Sequence, residues 1–279
     1  MYKVKKVLNH NTVIAVNTDK LKEYLVLGKG VGFGKKPTQE ITISSDDRIF
    51  SLEETTERGN IKEFIKNVSP IYIELADAVL CIADEKFDNV DHNIIFPMAD
   101  HLEFAVKRIE KGEEISNPLI DDIKILFHSE YKIAETIRPL LKEQFNIEIS
   151  DDEIGYVALH VHSAISNDRI SQSMEIARAV RECVTMIENV TKTTIRVDSL
   201  SYNRLMNHIR YMVARVQHNE PLKLNMNDYI LNTFPQSFGI AATVCEELGK
   251  SLGTKLDDIE IGYLAMHIER VKTDIEQDS

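Results

Sequence analysis

A chain of 279 residues, 43% hydrophobic and 28% charged, has room for two or three soluble domains, each with its own core. Three cysteines, Cys81, Cys183 and Cys245, stand far apart with no C-x-x-C, which excludes a cysteine zinc site and fits a reducing compartment. No apolar run reaches the roughly 18 residues of a membrane helix and the N-terminus has no signal-peptide core, so a cytoplasmic protein without membrane insertion is expected.

The net charge of −12 is unevenly spread: residues 1–36 carry eight lysines against two acids, and the remainder is strongly acidic. A basic head on an acidic body suits a head that meets a polyanion, although an ordinary lysine-rich surface gives the same count. Residues 2–8 alternate as a short strand, Asn9-His10-Asn11 turns, and Thr12 to Val16 is a second β-branched run. Glu23 to Leu27 predicts a third strand, the Gly28–Lys36 stretch follows, and Arg48 to Leu52 predicts a last short strand. This makes a small antiparallel β unit, a size at which a lone core is marginal, so a second copy is expected to complete it as a homodimer.

The polar stretch from Glu54 to Asn60 reads as a linker. From Ile61 the apolar period changes from two to about 3.6. Helices are expected over Ile71–Lys86, Asp91–Lys111, Pro118–His128, Ser129–Gln144 and Ser150–Ile165. Pro97 and Pro139 should kink or shorten theirs, Asn117-Pro118 should start one and Gly112 should stop one. Ser150 with Glu153, and Asp257 with Glu260, have capping-box spacing. After a polar stretch at Ser166–Ser173, a second helical set is expected over Met174–Val190, Ser199–Gln217, Asn227–Thr233, Gln236–Lys250 and Asp257–Thr273.

The second set repeats the first. Asp152-Glu153-Ile154-Gly155-Tyr156-Val157-Ala158-Leu159-His160 returns as Ile259-Glu260-Ile261-Gly262-Tyr263-Leu264-Ala265-Met266-His267, 107 residues on, and His101 returns as His208 at the same offset. Each copy of one α-helical module therefore carries a pair of histidines. Each lies beside the apolar stripe of its helix, which predicts a half-buried setting. A single such histidine is more often a satisfied core residue than a functional one. Four at matched positions favour function, with shared ancestry explaining part of the match.

Three chemistries use paired histidines. Metal binding lacks its spacing: His160 and His162 point about 200° apart on a helix, and Glu269 replaces His162 in the second copy. Triad catalysis lacks a nucleophile context, so no catalytic residue is assigned. Phosphoryl acceptance needs only a neutral, partly exposed imidazole and a donor protein that can dock on it.

In the head, Gly28, Gly30, Gly32 and Gly34 fall on one side of an extended chain and would leave a bare backbone face. Lys29, Lys35 and Lys36 offer phosphate contacts, Phe33 a stacking ring, and Asn11 a group for a base edge or 2′-hydroxyl. The phosphate-loop spacing G-x-x-x-x-G-K-[ST] is absent. A flexible hairpin would show the same alternating glycines.

Lys6-Val7-Leu8-Asn9-His10-Asn11, the Gly28–Lys36 stretch and the two copies of the Asp/Asn-His and Gly-Tyr-x-Ala-x-His motifs resemble antiterminators of the BglG/SacY/LicT family, over essentially the whole chain. The Gly-Lys-Gly-Val-Gly-Phe-Gly-Lys-Lys run looks most like the glucose-type branch. The resemblance implies a multidomain fold: an antiparallel all-β RNA-binding domain at 1–56, then two duplicated all-α helical-bundle domains (PRDs) at 61–168 and 173–279. It implies a homodimer that holds an RNA hairpin overlapping a terminator, so that transcription of a sugar-uptake operon reads through. It maps RNA contacts to Asn11, Gly28, Lys29 and Phe33, with Lys6 beside them, and phosphoacceptors to His101, His160, His208 and His267. The donors it implies are HPr and the EIIB component of a sugar permease of the phosphotransferase system (PTS), the permease inactivating through the first PRD and HPr often activating through the second. It implies no cofactor and no metal. Lys29 departs from the arginine of other branches and loses the bidentate fork. Two readings of other classes are a histidine-rich, metal-dependent enzyme with an accessory β domain and a PRD-containing DNA-binding regulator; the β pattern of the head disfavours the second.

Overall fold

The computed structural model describes residues 1–278 apart from 54, 57, 58, 167, 168, 193, 196–198 and 219. Contacts group the chain into two units: Met1–Ser116 with Ser129–Asp168, and Asn117–His128 with Arg169–Ser279.

The first unit opens with five antiparallel strands, β1 (Tyr2–Val7), β2 (Thr12–Asn17), β3 (Lys22–Leu27), β4 (Glu40–Ile41) and β5 (Arg48–Ser51), in the order β4-β1-β2-β3-β5. Alternation along the strands gives two different faces. Val4, Val13, Ala15, Val26 and Ile41 form one core with Val31 from the glycine stretch. The other face carries Thr12, Leu27 and Arg48 in one cross-strand row, with Leu25 beside Phe50 in the next. Helices of the same unit cover it: Phe50 meets Phe96 edge to face at 5.1 Å, and Phe96 meets Phe64 at 5.4 Å. Both faces of the small sheet are thus occupied within one chain, so the size argument for a second copy loses its force. Within the stretch read as a linker, whose residues 54, 57 and 58 lie outside the described ones, β6 (Thr55–Thr56) lies antiparallel to β7 (Gly59–Asn60).

Helices follow: α1 (Ile61–Asn67), α2 (Pro70–Asp84), a 3-10 turn (His92–Ile94), α3 (Ile95–Glu110), α4 (Ile120–Leu126), α5 (His128–Ala134), α6 (Ile137–Phe145) and α7 (Asp151–Ser166). Both prolines act at helix starts. Pro97 falls in the first turn of α3, and Pro139 in the first turn of α6. A proline clashes with the carbonyl four residues earlier, so the single helix expected over Ser129–Gln144 breaks near Glu135 into α5 and α6. Gly112 ends α3 as expected, at φ +71°. Asn117 caps a turn, its Oδ1 accepting the Leu119 N–H at 3.1 Å, and α4 starts later than the Asn-Pro pair suggests.

The second unit holds α8 (Ile170–Thr191), α9 (Leu200–His218), α10 (Asn227–Thr233), α11 (Pro235–Ser251) and α12 (Ile259–Asp278), together with α4. The polar stretch between copies is shorter than expected because α8 begins at Ile170, where Gln172 Oε1 accepts the Arg169 N–H at 2.7 Å. The middle helices of the two copies, α4 and α10, pack differently. Asn227 docks α10 on α12: its Oδ1 accepts the Gly262 N–H at 3.1 Å and its Nδ2 donates to the Asp258 carbonyl at 2.7 Å. The matching residue at the start of α4 is Ile120. That helix instead packs on α8 and α9, where the fully buried Asp122 accepts from Arg181 Nε at 2.7 Å and the Tyr202 hydroxyl at 3.0 Å. No helix among the described residues is long and apolar enough to cross a membrane.

Candidate functional site

In the head, the Asn9-His10-Asn11 turn is laced to the glycine stretch. The His10 carbonyl accepts the Gly32 N–H at 2.9 Å, the Asn11 carbonyl accepts the Gly28 N–H at 2.9 Å, and Asn11 Oδ1 accepts the Gly30 N–H at 2.8 Å. The stretch is not extended, as its alternation suggested. It is a run of turns, with Val31 donating to the Gly28 carbonyl at 3.1 Å and Phe33 to the Gly30 carbonyl at 3.0 Å. Gly30 sits at φ +73°, where a side chain is strained, and a Cβ on Gly32 would lie 2.3 Å from the Asn9 carbonyl. The glycines let two loops close on each other instead of baring a flat face. The turns lift Phe33 outward, 70% exposed, with the His10 ring edge-on to it at 5.4 Å. Asn11, Gly28, Lys29 and Phe33 therefore share one loop pair, and Lys29 is exposed. Lys6 stands outside that pair, exposed on β1 opposite Ile14.

The histidines meet in pairs, one from each helix of a packed couple. His101 on α3 and His160 on α7 have ring centroids 5.5 Å apart; His208 on α9 and His267 on α12 are stacked at 4.6 Å. Two are deeper than the helix pattern implies: His160 is 3% and His208 9% exposed, because each packs against its partner's helix. His101 and His267 are half-buried, as expected. Burial, His267 and Arg215 bring the His208 pKa down to about 3. Burial, Arg270 and Arg204 bring that of His267 down to about 4. Both imidazoles are neutral near pH 7. His208 Nε2 and His267 Nδ1 are buried without a hydrogen bond.

A carboxylate-arginine couple flanks each pair, and the sequence reading assigned those carboxylates elsewhere. Ser150 Oγ does accept the Glu153 N–H at 3.3 Å, but the Glu153 side chain turns inward, accepting from Arg108 Nη2 at 2.6 Å. Glu260 does the same, accepting from Arg215 Nε at 2.7 Å and Nη2 at 2.8 Å. Both glutamates are almost fully buried, which a backbone cap would not require. The arginines stand at the common 107-residue offset, the signal that could have revealed them. The couples differ in one respect. Arg215 grips both oxygens of Glu260, whereas Arg108 holds one oxygen of Glu153 and leaves Oε2 to face His101 Nε2 at 3.1 Å. Burial pushes the Glu153 carboxyl up, but His101 and Arg108 outweigh it and hold it below the ordinary carboxylate range.

The PRD domain family matches residues 78–164 and 181–271, and the CAT RNA binding domain family matches residues 2–59. The chain belongs to the BglG/SacY/LicT family of antiterminators. Its relatives include Protein GlcT of Staphylococcus saprophyticus, 29% identical over 95% of each chain. Another is the GlcA/glcB genes antiterminator of Staphylococcus carnosus, 28% identical over 96% of this chain and 94% of that one. The second of these is named as an antiterminator. A solved GlcT CAT-PRDI structure is 32% identical, with a TM-score of 0.50, over 60% of this chain and 99% of that one. In an antiterminator of this family, the loop pair lies in the CAT RNA-binding head and one histidine pair lies in each PRD match.

Proposed function

We propose that the chain is a PTS-controlled antiterminator, with a head at 1–56 and PRDs at 61–168 and 173–279. A homodimer grips an RNA hairpin through Asn11, Gly28, Lys29 and Phe33, with Lys6 contributing charge at the margin. Phosphoryl groups arriving at His101, His160, His208 or His267 from HPr or an EIIB component decide whether that grip forms. The observation that carries this reading is the repeated histidine pair, whose second copy holds His208 Nε2 and His267 Nδ1 buried on neutral rings without a hydrogen bond. A neutral imidazole attacks phosphorus with such a lone pair. One N–P bond forms as the donor's bond to phosphorus breaks, and the donor side chain leaves with the electron pair.

Burial adds a requirement: a donor reaches these nitrogens only when the helix couple opens. Once attached, a phosphate brings close to two negative charges between packed helices. In the first PRD it would also meet Glu153, whose Oε2 has no arginine on it; in the second, Arg215 already holds both oxygens of Glu260. The same modification is therefore more disruptive in the first copy, and a population shift between helix arrangements follows. The test is incubation of the purified chain with phosphoenolpyruvate, enzyme I and HPr, with and without an EIIB domain. Acid-labile label lost on replacing these histidines supports the reading; absence of label from all four removes it.

A further inference from the structure

The row of head residues Thr12, Leu27 and Arg48 faces α2, and α2 answers with acids along one side. Glu74 Oε2 accepts from Asn11 Nδ2 at 3.1 Å, and Glu74 Oε1 accepts from the Thr12 hydroxyl at 3.3 Å. Farther along the helix, Asp77 pairs with Arg48 Nη1 and Asp84 Oδ2 accepts from Arg48 Nη2 at 2.6 Å. Positions 74, 77 and 84 lie on one helical face. Two separate anchors, one at each end of the row, thus tie the head to α2.

The Asn11 amide has two ends. Its oxygen is committed to the Gly30 N–H and shapes the loop. Its nitrogen, with two N–H groups, is the end left to recognise an acceptor, and a carboxylate already holds it through one of them and fixes its direction. A phosphate oxygen or a base acceptor would satisfy that nitrogen in the same way. A fixed negative charge beside the loop that carries Lys29 also opposes an incoming polyanion.

We propose that Glu74 is a built-in competitor of RNA: its carboxylate occupies the recognition end of Asn11, and the head binds tightly only when this contact on α2 lets go. The inference rests on the RNA reading of the head and adds a direct lock between the helical region and the nucleic-acid surface. The rest of the anchor explains why the lock is local. Arg48 keeps the far end of the row attached, so release at Glu74 needs a small rotation, not separation of the head.

The test uses the full-length chain and an RNA hairpin selected from a random pool on the wild type, with binding read by fluorescence anisotropy. Glu74→Ala should tighten binding roughly tenfold, the scale of one charge-assisted hydrogen bond, and Glu74→Gln by less. Asn11→Asp keeps the acceptor for Gly30 but reverses the recognition end, and should weaken binding. Unchanged affinity in Glu74→Ala, with Asn11→Asp weakened, overturns the lock while the head still reads RNA. If Asn11→Asp also binds like wild type, Asn11 is not in the RNA surface, and the lock falls with that reading.

Discussion

His208 and His267 are stacked with ring centroids 4.6 Å apart, and burial keeps both of them neutral. Their folded pKa values of about 3 and about 4 lie below the ordinary histidine value of 6.5. Between those limits the unfolded chain binds protons that the folded chain refuses, so stability rises with pH there. Acidification from about pH 6.5 toward pH 4 should lower the melting temperature of the second copy. Each histidine contributes a slope of up to about 1.4 kcal/mol per pH unit. Replacing both with asparagine should flatten the pH profile over this window. An unchanged profile in the double variant, measured by thermal unfolding, would show that these rings do not titrate as their burial requires.

The two copies exchange a side-chain pair. His162 Nδ1 lies 2.9 Å from Glu130 Oε1 in the first, and Ser237 Oγ donates to Glu269 Oε2 at 2.5 Å in the second, at matching positions. The carboxylate has changed helix, and its partner has changed with it. His162→Glu alone would place two carboxylates together in a buried site and should destabilise the first copy by about 3 kcal/mol or more. Adding Glu130→Ser rebuilds the arrangement of the second copy and should recover most of that loss. Urea denaturation of the two single variants and the double variant gives the coupling directly. Additive losses would mean that the two positions do not act as a pair.

How much of this was legible in the sequence depended on whether the deciding contact was local. The helical period, Gly112 as a stop and the duplicated histidines are local or repeat at fixed spacing, and all were readable. The capping boxes were half right because Ser150 meets its amide locally, whereas Glu153 answers to Arg108, 45 residues away. The glycine stretch misled because glycine alternation has a strand's period without any side chains to point. The positive φ at Gly30 and Gly34 and the turn hydrogen bonds of Val31 and Phe33 distinguish turns from strand. Nothing local in Glu74 announced that it would reach Asn11 across 63 residues.

Arg215 and Glu260 form a two-point pair in which the carboxylate is almost fully buried. Arg215→Met leaves that charge without its arginine and should cost about 3 kcal/mol of stability in the second copy. Glu260→Gln in the same chain removes the charge and should return part of it. Arg108→Met should behave alike in the first copy, but with a smaller penalty, since only one nitrogen of Arg108 is engaged. Chemical denaturation that ranked the two arginines in the opposite order would contradict the difference drawn between the two couples.

Phe33 is 70% exposed and touches the His10 ring edge-on, so little of the fold depends on it. Phe33→Ala should leave the melting temperature nearly unchanged. If the ring stacks on a base, the same change weakens hairpin binding by at least about 1 kcal/mol, and the salt dependence of binding stays the same. Lys29→Ala should weaken binding by a similar amount through a different route: it removes a phosphate contact, so the slope of log K against log salt should fall by nearly one. Gly32→Ala separates local architecture from contact. Its Cβ would lie 2.3 Å from the Asn9 carbonyl, forcing the two loops apart and disturbing Asn11, Lys29 and Phe33 together. That variant should lose RNA affinity and head stability at once, whereas Phe33→Ala loses affinity alone. Anisotropy titrations at several salt concentrations, paired with thermal melts, separate the three outcomes. Equal salt slopes for wild type and Lys29→Ala would take Lys29 off the phosphate backbone.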